Sequence, residues 1–591
     1  MAISLLVIVS IVTLVVLLAV TIAASNAQKP AMPNARGSQS GSSEGSGQAT
    51  VRRLYFYVVA LISSTAGLFA FTSLAFSLVD AWLAQPGLAV ISGSGFQRTT
   101  IASNAGLLIV TTPIFLLHWA TIQARVARPE YPGERTAALR KFFHYVASAI
   151  ALGLLLTMAQ NLLSGIAQLA FGQPIAASKL LPAVWLQDLI AIGAAGALLW
   201  YWQTIARSDG DFGLEAGLAA VWRRLFLAGV IITGLTMILF GSAGVISAAI
   251  QWGIDRIIPS VTRIWFAPRL GGGIALILIG TVVARTGLQV WHDIVMRRPA
   301  EEESALLRLF LYVTAVGGAV ATLVPTAIVL RTVLIWIFAG YNRTPLELLD
   351  MIAGPLAFIP AGAVIWWRFW HVIQAMEARA GVRAEGATVR RIYFYAVAAT
   401  GLVLLWIGLV NVVQVILDAL LTTRQAMNGP VWERPLATGV SLLVVGAPVW
   451  ALHWRAVQHV ARRTDAEGAA ERASLPRRIY LYGVAFAGAI LILYYLAQVI
   501  YRIFLLILGD RSVALLSPEL AEDLARTAIA AFLWGVHLIA LRADGRFPDV
   551  PAELLALDPA EQRAHLDDEI AAMESTLAKL RAQRAALDHT N

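Results

Sequence analysis

Residues 390–421 read RRIYFYAVAATGLVLLWIGLVNVVQVILDALL. Two arginines and a Tyr-Phe-Tyr cluster open a run that carries no further charge until Asp418. About 20 apolar residues suffice to cross the roughly 30 Å hydrocarbon core of a bilayer, and this run is longer. A guanidinium stays with water and headgroups while aromatic rings sit at the interface. The stretch therefore reads as a transmembrane helix entered from its basic end.

The same opening recurs as RRLYFY at 52, RKFFHY at 140, RRLFL at 223, RLFLY at 308 and RRIYLY at 477. Counted from Arg53, Arg140, Arg224, Arg308, Arg391 and Arg478, the interval is 83 to 87 residues. Such regularity marks an array of one structural unit. Each unit adds a second apolar span that ends in an aromatic–imidazole signature. These are His118-Trp119, Tyr201-Trp202, Trp291-His292, Trp370-His371, His453-Trp454 and, more loosely, Trp534 with His537. Tyr55, Tyr393 and Tyr480 complete the signature at the helix entries.

The expected fold is an all-α polytopic bundle of about thirteen spans. An anchor covers 1–27 and a Gly/Ser-rich linker 28–50, whose stretch 38–48 has no apolar residue to bury. Six two-helix repeats of parallel orientation follow at 51–135, 136–219, 220–303, 304–386, 387–472 and 473–547, then a tail at 548–591. Their second spans are expected near 102–122, 182–205, 270–292, 350–374, 437–461 and 522–541. The first base after the anchor is Lys29, and inter-repeat connections are richer in Arg than the hairpin tips. The positive-inside rule then puts the N-terminus outside the cell membrane and the C-terminus in the cytoplasm.

Composition agrees. The chain is 58% hydrophobic and 14% charged, whereas soluble domains carry about a quarter charged residues. With no cysteine, disulfides, thiolate metal sites and a cysteine nucleophile are excluded. The net charge of +9 sits at the ends of apolar segments, so it speaks for anionic lipid rather than nucleic acid. In the tail, Asp558-Pro559 offers a helix cap and first position. Leu566, Ile570, Met573, Leu577 and Leu580 follow at heptad spacing. A short cytoplasmic coiled coil that pairs copies of the chain is expected there.

The repeat text resembles an uncharacterised bacterial integral-membrane domain family of unknown function. That family has an ArgArg-Leu/Ile-Tyr-x-Tyr entry and a Pro-x-Trp-x-x-HisTrp-like exit. The best matches are residues 390–395 with PVWALHWR at 448–455, and 52–57 with PIFLLHW at 113–119. The third repeat lacks both the entry Tyr and the Pro. The resemblance implies architecture and brings no activity with it.

Two sets of residues carry chemistry. The imidazoles, one per repeat in most repeats, could ligate haem or metal. Their place at span ends favours interface anchoring, and no metal or cofactor is expected. A polar stripe runs along the first helices: Asp80; Asn161 and Gln168; Gln251; Arg331; Asn411, Gln414 and Asp418; Gln498 and Arg502. Polar groups at membrane depth face a bundle interior or a cavity, so the stripe is either a solute path or a set of inter-helix pairs. No nucleophile elbow, HisGluxxHis or phosphate-loop motif is present. A non-enzymatic membrane scaffold is the leading expectation. A transporter or channel is the second and a His-ligated membrane protein the third.

Overall fold

The computed structural model describes residues 46–83, 94–171, 181–210, 212–257, 266–338, 344–380, 384–421, 432–508, 518–545 and 559–588. The expected N-terminal anchor and most of the linker lie outside these residues. The described residues form helices joined by short turns, with no strand among them.

The helices are α1 (Ser46–Leu83), α2 (Ser94–Val126), α3 (Ala138–Ala170), α4 (Leu181–Ser208), α5 (Gly217–Ile257) and α6 (Phe266–Arg297). They continue with α7 (Ala305–Phe338), α8 (Pro345–Ala380), α9 (Ala384–Leu421), α10 (Glu433–Ala461) and the short α11 (Ala466–Ala473). The last three are α12 (Leu475–Ile507), α13 (Pro518–Asp544) and α14 (Pro559–Asp588). All but α11 and α14, twelve in number, are long and apolar enough to cross a membrane. The helices overrun the spans expected from hydropathy by one or two turns. α1 already begins at Ser46, within the expected linker, and α6 begins ahead of its glycine run at Gly271.

The chain forms two compact units, Met1–Ile238 with Leu270–Arg298, and Leu239–Arg269 with Pro299–Asn591. In the first, α1 packs on α2 and α3 on α4, and α1 also rests on both α3 and α4. In the second, α7 packs on α8, α9 on α10 and α12 on α13, while α9 rests on both α12 and α13. Consecutive spans are thus hairpins, and the leading helix of one hairpin buries itself against the next.

Close helix approach accompanies aromatic-rich core clusters, such as that of Tyr57, Trp119, Phe143 and Trp202. A Cβ placed at Gly318 of α7 would lie 2.5 Å from the Trp366 backbone nitrogen of α8. Small residues that let backbones meet are how helices associate where lipid is as apolar as leucine. Outward faces carry Leu117, Trp200, Phe486, Leu493 and Ile539 largely exposed, as a lipid-facing surface requires. Hydroxyls at membrane depth return to their own helix: Thr72 donates to the Leu68 carbonyl, Thr111 to Leu107 and Thr322 to Gly318. These hydroxyls are thereby satisfied within their own helices.

Candidate functional site: buried ion pairs at the basic ends

The first turn of α3 follows a 3-10 turn at Pro132–Glu134, which delivers Arg140 beneath α1. Its guanidinium donates from Nε and Nη2 to the two Asp209 carboxylate oxygens, both at 2.9 Å. The Arg140 and Asp209 side chains are 1% and 2% exposed. Lys141 Nζ joins at 3.2 Å. Arg140 also reaches the Tyr57 hydroxyl and lies over Trp119. Next to it, Arg53 donates to Glu134 at 3.0 Å. One connection later, Glu215 accepts from Tyr145 at 2.6 Å, from Arg223 at 2.7 Å and from the Gly213 amide at 2.9 Å. Gly213 has φ +81°, a left-handed turn that glycine adopts freely.

The second unit builds the same knot from different stretches of chain. Arg477 in the first turn of α12 donates to both Asp544 oxygens, at 2.7 and 2.9 Å, and lies over Trp454. It also donates to the Tyr395 hydroxyl at 3.0 Å and to Gln458 at 2.9 Å. Glu471 accepts from Arg391 and Tyr395, both at 2.7 Å. Tyr312 donates to Glu377 near the end of α8, at 2.7 Å. Bidentate, charge-assisted bonds of this kind are the strongest polar contacts a protein makes. Here Arg140 and Arg477 each join the start of one helix to the far end of the helix after it.

Among the signature residues, the structure separates two groups. Trp119, Trp202, Trp454, Tyr480 and His537 are buried, and so are core residues rather than the interface anchors expected from their position. Trp202 stands edge-on to Trp119 and Phe143. In the second unit His537 packs on Trp454 and bonds the Tyr480 hydroxyl at 3.0 Å. The buried direction was not readable because both faces of these helices are apolar. Tyr393 is buried as well, near Trp370 and His453, whereas Tyr55, His292, His371 and Arg478 are exposed. His118, His371, His453 and His537 each use Nδ1 on the carbonyl four residues back, at 2.7 to 2.8 Å. No group of three His, Asp or Glu able to hold a metal occurs among the described residues.

Several members of the polar stripe have a local partner. Asp80 accepts from Gln187 at 2.7 Å, and Asn161 meets Asp188. Gln168 donates to Ser164 at 2.8 Å, and Gln251 accepts from Arg269. Arg331 donates to Thr438 at 2.9 Å, which ties α7 to α10. Asn411 donates to the Ile407 carbonyl at 2.8 Å, and Arg502 pairs with Asp523 at 3.3 Å. Asp418 is half-buried near Glu519 and Glu522. Gln414 and Gln498 are half-buried.

The acids of the knots, Glu134, Asp209, Glu215, Glu471 and Asp544, were not anticipated. A signal existed. Glu134 and Glu471 lie 81 and 80 residues after the arginines they bind. Asp209 and Asp544 lie 69 and 67 residues after theirs. Chemically these groups are held saturated, so the arrangement fastens helices rather than presenting a reactive atom.

A family model described as "Domain of unknown function (DUF5671)" matches residues 53–198, 224–359 and 391–536. Each match begins at or beside an entry arginine and takes in two hairpins. The first and fifth repeats, most alike as text, each lead a matched segment, as does the divergent third. No curated protein and no solved structure matches the chain.

Proposed function

The chain belongs to the family of the domain of unknown function DUF5671, and from that premise we propose that it is a non-enzymatic scaffold of the cell membrane. The observation that carries this reading is the fate of the polar groups. Charged groups of the stripe are mostly bonded to a neighbouring helix: Asp80 to Gln187, Arg331 to Thr438 and Arg502 to Asp523. Basic ends placed in the cytoplasm follow from the positive-inside rule. The exposed heptad edge of α14, with Leu566, Ile570, Met573, Leu577 and Leu580, is then the surface through which copies self-associate. Tethering to one membrane raises the effective concentration of a short coiled coil.

The test replaces Asp80→Leu, Arg331→Met, Asp418→Leu and Arg502→Met together. A scaffold keeps its assembly, melts at a lower temperature, and shows no solute flux in proteoliposomes before or after the change. Flux in the native chain that the variant loses would overturn the reading. A second reading, a transporter, draws on one observation. A cavity of about 430 Å³ in the second unit is lined by Ser247, Gln251, Arg269 and Asp350, opposite charges that suit a zwitterionic solute.

A further inference from the structure

The last turns of α10 carry Arg455, His459 and Arg462 along one exposed face. They line a cavity of about 590 Å³ together with Trp454, Gln458 and Arg463. Nearest neighbours are accounted for. Arg463 pairs with Asp465 and Glu467, and Gln458 accepts from Arg477. Arg455, His459 and Arg462 have no ion-pair partner among the described residues. The helix end does not repel an anion here, because Arg472 covers the Ala461 and Arg463 carbonyls.

The fold does not need these cations. The first unit has the same turn, with His118, Trp119 and Gln123 where α10 has His453, Trp454 and Gln458. Both turns lie against a bidentate Arg–Asp pair, Arg140–Asp209 and Arg477–Asp544. Yet the positions of Arg455, His459 and Arg462 are held in the first unit by Ala120, Ala124 and Ala127. Structure is kept with three alanines, so the cations serve something outside the fold. One turn toward the middle of the helix, the same face presents Leu452, 68% exposed. A face that passes from bare leucine to three basic groups matches the step from acyl chain to headgroup.

We propose that this stripe is a binding site for the phosphate headgroup of an anionic membrane lipid, present on the third matched segment and absent from the first. Arg455 and Arg462 supply planar donors that fit phosphate oxygens, and Leu452 meets the acyl chain. The proposal rests on membrane insertion and is independent of the scaffold reading.

The test uses the full chain in mixed phosphatidylglycerol and phosphatidylcholine, with retained lipid counted by native mass spectrometry. The native chain retains phosphatidylglycerol preferentially. The variant Arg455→Ala, His459→Ala, Arg462→Ala, which copies the first unit, loses that preference by at least roughly ten-fold, from the loss of several surface cations. It keeps its melting temperature in pure phosphatidylcholine. The single change Arg462→Glu, at an exposed position, carries the same test should the triple variant not fold. Undiminished phosphatidylglycerol retention in either folded variant overturns the proposal. Displacement of the lipid by millimolar inorganic phosphate also overturns it, in favour of a free-anion site.

Discussion

Asp209 is held between Arg140 and Lys141 with almost no access to water. Removing one partner of a buried ion pair leaves a charge uncompensated and costs about 3–5 kcal/mol. Asp209→Ala should therefore lower the melting temperature sharply. The triple change Asp209→Leu, Arg140→Met and Lys141→Met should recover most of the loss, because three apolar groups leave no charge of this cluster stranded. Thermal unfolding of both variants in nanodiscs checks this. Outside the spans, Asp465 caps α11 by accepting from the Gly468 amide at 3.0 Å. That bond, aided by Arg463, holds its carboxyl below the ordinary carboxylate value. A depressed folded value means the cap stabilises fully above the unfolded pKa and is lost as pH falls through the folded one. Protection of the Gly468 amide, relative to a free chain at the same pH, should fall as pH drops through the depressed Asp465 value, and Asp465→Asn, which still caps, should flatten that dependence. At this scale the arginines were legible and their acids were not. Bases near span ends read as topology signals, and an acid in a connection carries no periodic mark until its partner is known.

Helices were the most legible feature, since a long uncharged run has one stable form in lipid. Their rotation was not legible. Trp119 and Trp202 turn inward while Trp200 and Trp367 turn outward, and in a helix apolar on every side the sequence gives no contrast between the two directions. Glycine supplied a clue that composition alone obscures. Gly318 meets Trp366, and a Cβ on Gly362 would lie 2.8 Å from Ala321, so the α7–α8 crossing is fixed by two glycines. Gly318→Leu should push the pair apart and destabilise it by about 1–3 kcal/mol or more. Gly317, with nothing near its Cβ position, should accept leucine with little change. Limited proteolysis of the two variants distinguishes them.

Across the whole chain, repetition was legible because the entry motif recurs at a near-constant interval. The larger period was missed because hairpins within one matched segment differ, and only the first and fifth repeats are close in text. The absence of cysteine makes topology directly measurable. Thr344→Cys, at the start of α8, should react with a membrane-impermeant maleimide from outside intact cells. Thr464→Cys, after α10, should react only once the membrane is opened. Both positions lie in the second unit, and labelling of both from one side would contradict the assigned orientation.

The scaffold reading, carried by the bonded polar groups, requires self-association through α14. In the cysteine-free full chain, Met573→Cys sits on the heptad edge and Ser575→Cys on the opposite face. Oxidation in native membranes should cross-link the Met573→Cys chain to a dimer and leave the Ser575→Cys chain monomeric. Equal cross-linking at both positions, or none at either, would contradict the account.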